Sequence, residues 1–239
     1  MDKRKESEIL AKRALQIQRG GARAAVLGVN DGLVSVLCIV LAVAGAGAET
    51  KTVLLSGFAG LLAGAVSMAA GEWISVQAQV ELFGGVIKDV KMLVKNDRNI
   101  LVEQIKETFM KSGHTEKTAH VAAEEIAQND DHLTDEYIRH VMSFIPEELG
   151  SPLQAAVSSF TLFTAGALAP LLPWFFVHGV FAISLSMLFT AIGGLIVGAY
   201  ISASSGESRV AGALRQLGII VLAAVVTYGV GYLFGISSK

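Results

Sequence analysis

RAAVLGVNDGLVSVLCIVLAVAGA, residues 23–46, carries a single charge after its first residue, Asp31, inside an otherwise apolar run. A hydrocarbon core of about 30 Å needs about 20 helical residues, so this run is long enough to cross it. Four more stretches meet the same test, at approximately 52–79, 153–176, 180–204 and 210–236. The second contains Glu72. The last three are free of charge except for Glu207 and Arg209 at a boundary and Arg215 near the start of the fifth. The pattern predicts an all-α integral membrane protein with five transmembrane helices and a helical insert between the second and third.

Composition agrees. The chain of 239 residues is 52% hydrophobic and 17% charged, whereas soluble domains carry about 25% charged residues. The charges are segregated: of 21 acids, 13 lie between Asp89 and Glu148, and only Glu207 follows Ser151. The expected organisation is an amphipathic cytoplasmic segment over 1–22, helices one and two within 23–80, a cytoplasmic insert over 81–152, and helices three to five within 153–239. In the insert, Leu101, Ile105 and Phe109 recur at helical spacing up to a stop at Gly113, and two more helices follow with Thr115 and Thr134 as N-caps.

Lysine and arginine set the expected orientation. With the N-terminus inside, 17 of the 19 lie on the cytoplasmic side, and only Lys51 and Lys239 lie outside. The lone Cys38 excludes an intrachain disulfide. The first apolar run lacks the cleavage site of a signal peptide, so the N-terminus is expected to stay on the protein. No basic patch with interleaved aromatics appears, which argues against nucleic acid as a partner. The short tails favour a prokaryotic plasma membrane over an organelle.

Three G-x-x-x-G pairs, Gly60 with Gly64, Gly194 with Gly198, and Gly231 with Gly235, permit close helix contact. Packing within the chain is the simpler reading, and a dimer face is the other. Pro170 and Pro173 are expected to kink or end the third span near its outer face, with Trp174 as an interfacial anchor.

An ionisable residue inside a membrane helix costs a few kcal/mol on insertion scales, so it tends to face the bundle interior and to mark an ion path. Asp31 and Glu72 are the two acids well inside, and helical rise places them at similar depth. Asn30 precedes Asp31, Met68 stands one turn before Glu72 on the same face, and Ser35 and Ser75 occupy the next turns. Two carboxylates, an amide and a thioether suit a borderline divalent cation such as Fe²⁺ or Mn²⁺ better than Mg²⁺ or Ca²⁺. The competing reading of Met68 is a space-filler. A carboxylate in low dielectric has a raised pKa, so either acid can trade a proton for a metal near neutral pH.

These segments, with GLLAGAVSMAAGEWISVQAQ at 60–79, SPLQAAVSSFTLFTAGALAPLLP at 151–173 and the ending ALRQLGIIVLAAVVTYGVGYLFG, resemble the vacuolar iron transporter family across all five spans. The resemblance implies export of Fe²⁺, and often Mn²⁺, from the cytoplasm by proton exchange in a homodimer embedded in the bilayer. It places the translocation path on Asp31 of N-D-G and Met68 of S-M-A-x-G-E, with Glu72 as a pathway or proton-coupling acid. The metal is then a substrate and no cofactor is implied. The resemblance also implies a metal-gathering insert, but Phe83, Gly84 and Gly85 stand where further acids are expected after Glu81. Glu103 and Glu107, at i and i+4, and Glu148 are the remaining candidate ligands there, against the simpler reading of a solvated face. His114, His120, His132 and His140 lack zinc-site spacing.

None of G-x-S-x-G, H-E-x-x-H or a P-loop occurs, so an enzyme is not expected. A metal sensor or scaffold that keeps the fold without transport is the alternative to a transporter.

Overall fold

A computed structural model describes residues 21–144 and 149–237. The expected N-terminal amphipathic segment falls almost wholly outside the described residues, as does Glu148. All regular structure among the described residues is helical. The elements are α1 (Gly21–Gly45), α2 (Thr50–Asn96), α3 (Arg98–Lys111), α4 (Glu116–Ile126), α5 (Asp130–Glu136) continued by a π-helical turn (Tyr137–Val141), α6 (Pro152–Leu171) continued by a 3₁₀ turn (Leu172–Phe175), α7 (Gly179–Ser204) and α8 (Arg209–Ser237). Five of them, α1, α2, α6, α7 and α8, are long and apolar enough to cross a membrane. The chain is thus an all-α, multi-pass membrane protein. The chain divides into two compact units, residues 1–74 with 152–239, and residues 75–151.

The first unit is built around α1. Val36 and Val40 pack with Phe163, Ala167 and Leu171 of α6, while Leu37 and Leu41 pack with Ile220 and Ala224 of α8. Lipid tails are as apolar as leucine, so helices in a bilayer associate through close packing more than through the hydrophobic effect. Glycine supplies that closeness. A methyl group on Gly32 would strike the Phe163 carbonyl, and one on Gly166 would strike the Val29 carbonyl, so α1 and α6 meet backbone to backbone. The three G-x-x-x-G pairs all pack within the chain: Gly60 and Gly64 against Ile39 and Phe163, Gly194 and Gly198 against Ile220 and Gly212 of α8, and Gly231 and Gly235 against Ala42 and Ala46. Outward-facing Phe176, Val180 and Phe234 are each more than 70% exposed, a surface that lipid covers and water would not tolerate.

The tip between α6 and α7 differs from expectation. Trp174 is not an interfacial anchor but is 2% exposed. Pro173 lacks the N–H that would close the 3₁₀ turn onto the Pro170 carbonyl. That carbonyl instead accepts from the Ser186 hydroxyl at 2.7 Å, and Ser186 accepts from the Trp174 indole N–H at 2.9 Å. A proline defect is thereby repaired by a side chain of the next helix, and the indole is drawn inward to complete the chain of hydrogen bonds.

In the second unit, Phe83, Val90 and Val94 of α2 share a core with Leu101 and Ile105 of α3, Ala123 of α4, and Leu133, Tyr137 and Ile138. Thr115 caps α4 as expected, accepting from the Thr118 N–H at 3.3 Å. Thr134 does not cap a helix. Asn129 does, accepting from Asp131 and His132 N–H, while Thr134 is buried within α5 and donates to the Asp130 carbonyl. The helix begins a turn earlier because asparagine outranks threonine as a cap.

Ser186→Ala should strip partners from both the Trp174 N–H and the Pro170 carbonyl, lowering stability by about 1–2 kcal/mol. Thermal unfolding of the purified protein in detergent measures this, and an unmoved midpoint would show that the chain of hydrogen bonds is not needed.

Candidate metal pathway

Consecutive helix residues point about 100° apart, and the N-D-G triplet uses all three directions. Asn30 accepts a hydrogen bond from the Gln216 side chain of α8, Gly32 meets α6, and Asp31 between them is exposed on the surface of its unit. Gln216 is 7% exposed and is one of few buried polar residues in the spans. Sequence reading missed it as a partner: 186 residues separate the pair, and its only signal was a lone amide in an apolar helix. Asn30, weighed above as a ligand, has its amide oxygen engaged in holding α1 to α8.

The expected depth of the two acids also changes. Antiparallel α1 and α2 face each other with Val40 near Gly57, Ile39 near Gly60, and the Met68 sulfur beside Gly28. Continuing that register puts Asp31 level with residues near Met68, and Glu72 roughly one to two helical turns closer to the end where α1 begins. Asp31 and Glu72 therefore are not at one depth. The thioether stands nearer to the level of Asp31 than Glu72 does. Met68 is half-buried against the core cluster of this unit, so packing is one of its roles. Ser35 donates its hydroxyl to the Asp31 backbone carbonyl at 2.5 Å, which occupies its proton within the helix.

The described candidates in the second unit, Glu81, Glu103 and Glu107, lie on its surface. Glu81 accepts from Gln77 at 2.7 Å. Glu103 pairs with Lys106 at 3.1 Å, and Lys106 also reaches Glu116 at 3.6 Å. The hydrogen bond from Glu103 holds the Lys106 ammonium above the usual lysine range, with the charges of Glu103 and Glu116 adding to it. Glu107 is exposed. Other acids here are taken up elsewhere: Asp130 by Arg98 and Asp131 by Lys91 at 3.5 Å tie helices together, and Glu136 is held by His140 at 2.9 Å one turn along its own helix. Phe83, at a position where an acid was expected, is buried and stacks on Phe144 with ring centroids 4.2 Å apart. That position serves packing. No group of three or more His, Cys, Asp or Glu side chains converges among the described residues.

Comparison with known proteins matches a family model described as the VIT family over residues 22–232. Among similar proteins are vacuolar iron transporter homolog 1 of Oryza sativa subsp. japonica, 36% identical over 89% of this chain and 73% of its own length, and vacuolar iron transporter homolog 2 of Arabidopsis thaliana, 31% identical over 90% and 84%. VIT-like transporter 1a of Glycine max is 30% identical over 78% and 71%.

The Asn30–Gln216 bond is testable by a double-mutant cycle. Asn30→Ala and Gln216→Ala should each lower stability, and the pair together by about 1 kcal/mol less than the sum. Thermal unfolding in detergent reads the cycle, and strict additivity would mean that the two side chains act separately.

Proposed function

Because the chain belongs to the VIT family, whose members are transporters and not enzymes, we propose that it carries Fe²⁺, with Mn²⁺ as a second substrate, out of the cytoplasm in exchange for protons. The observation that carries this reading is the exposed Asp31 carboxylate at nearly the level of the Met68 thioether. A hard oxygen and a soft sulfur at one depth select a borderline cation over Mg²⁺ or Ca²⁺. Glu72, nearer the end where α1 begins, gives the ion a second carboxylate along α2, the helix of Met68. Metal ligands bind deprotonated, so loading and unloading the acids moves protons against metal.

Asp31 lies on a surface of its unit that no other described element covers, and two copies related by symmetry would bring two such carboxylates toward one path. A homodimer is part of the proposal on that ground. The charge bias supports a cytoplasmic N-terminus. The similar plant proteins carry the word vacuolar in their names, so the prokaryotic plasma membrane expected from the short tails is not part of the proposal. In the insert, Glu81, Glu103, Glu107 and Glu148 are proposed as a weak capture site, at which metal must displace Lys106 from Glu103.

That pairing, with no convergent cluster of ligands among the described residues, also supports the second reading, a sensor or scaffold that binds metal without moving it. Liposomes holding the purified protein, with metal- and pH-sensitive dyes, separate the two. Fe²⁺ entry should be accompanied by proton movement and should fall to background in Asp31→Asn, with the folded protein still in the membrane. Met68→Leu should reduce preference for Fe²⁺ over Mg²⁺ by about tenfold, the equivalent of one lost soft ligand. Absence of flux under every gradient leaves the sensor reading, and flux retained by Asp31→Asn removes that residue from the path.

A further inference from the structure

The turn that joins α7 to α8 encloses a polar cleft that metal movement leaves unused. α7 ends in a Schellman arrangement: Gly206 takes φ +75°, the Glu207 N–H reaches back to the Ser202 carbonyl at 2.8 Å, and the Gly206 N–H reaches the Ala203 carbonyl at 3.4 Å. Ser208 then begins α8 by accepting from the Ala211 N–H at 3.4 Å. Gly198 and Gly212 bring the two helices into backbone contact, and any side chain at Gly212 would strike the Ser202 hydroxyl. What remains is a cleft of about 430 Å³ lined by Ser202, Ser205, Glu207, Ser208, Gly212 and Arg215, among others.

Three of these lining groups have no partner among the described residues. Ser205 gives its hydroxyl to the Ile201 carbonyl at 3.1 Å, and Ser208 serves as the cap. The Ser202 residue is 5% exposed and its hydroxyl, which opens into the cleft, has no hydrogen bond, and neither the exposed Glu207 carboxylate nor the exposed Arg215 guanidinium has a hydrogen bond or ion pair among the described residues. An anion and a cation that share one cleft without meeting each other match a ligand that carries both signs on separate atoms.

We propose that this cleft binds the headgroup of a zwitterionic phospholipid bearing a primary ammonium, with phosphate on Arg215 and Ser202 and the ammonium on Glu207. The cleft lies where two apolar spans end, the depth at which headgroups sit. Arginine matches phosphate with several N–H donors, and a carboxylate takes charge-assisted bonds from an ammonium. A purely anionic headgroup such as that of phosphatidylglycerol brings the same phosphate but no cation for Glu207. A quaternary ammonium would have no N–H to give it. The volume is that of roughly a dozen waters by their share of the liquid, enough for a phosphate with a short amino alcohol. Arg215 adjoins Gln216, so a bound headgroup steadies the end of α8 that also holds Asn30.

The full chain in phosphatidylcholine nanodiscs, doped with phosphatidylethanolamine or phosphatidylglycerol and read by native mass spectrometry, tests this. Wild type should retain phosphatidylethanolamine about tenfold better than phosphatidylglycerol, one charge-assisted contact in magnitude. Glu207→Gln should abolish that preference, and Arg215→Gln should weaken retention of both lipids. Ser202→Ala, which changes no charge, should weaken phosphatidylethanolamine retention by about threefold, and circular dichroism confirms that each variant is folded. Equal retention of the two lipids by wild type, or retention unchanged in all three variants, would overturn the proposal. Displacement of the lipid by an equal concentration of soluble phosphoethanolamine would overturn the lipid as its source.

Discussion

Backbone contact between α1 and α6, at Gly32 and Gly166, is the constraint on which the membrane unit depends. With no water to exclude, helix association inside a bilayer draws on van der Waals contact, which falls off within an ångström of separation. Two helices whose carbonyls occupy the space of each other's missing methyl groups are fixed in rotation as well as in distance. α1 is further held by α8, where Gly231 and Gly235 repeat the arrangement against Ala42 and Ala46. A helix gripped on two faces has no rotational freedom left.

That rotation decides what N-D-G presents. Turning α1 by a third of a turn would bury the Asp31 carboxylate against a neighbour and expose Asn30. Instead, the asparagine is spent on Gln216, the glycine on α6, and the acid alone is left outward. The residue with the chemistry is thus positioned by its two neighbours in sequence, neither of which needs to touch a metal.

The five spans, the central acid and the position of the insert were legible because each is a local property: an apolar run of sufficient length, a charge within it, a block of charge between runs. The glycine pairs also read correctly as packing within the chain. What escaped were pairings between distant residues. Trp174 was expected at the interface from its residue type and place, but Pro173 freed a carbonyl that Ser186 and the indole together satisfy. Glu72 was set level with Asp31 by counting from the ends of the spans, while the register of α1 against α2 comes from Gly57, Gly60 and Met68. Of the insert's candidates, the i, i+4 spacing of Glu103 and Glu107 was visible, but Lys106 between them was not weighed, and it holds Glu103.

The hydrogen-bonded tip of the α6–α7 hairpin bears on how the protein is made. Ser186, Trp174 and the Pro170 carbonyl are supplied by one contiguous stretch, 170–186, so this carbonyl and the indole N–H are satisfied without help from any other span. The repair at the tip therefore travels with the hairpin itself and needs no partner made earlier or later in the chain.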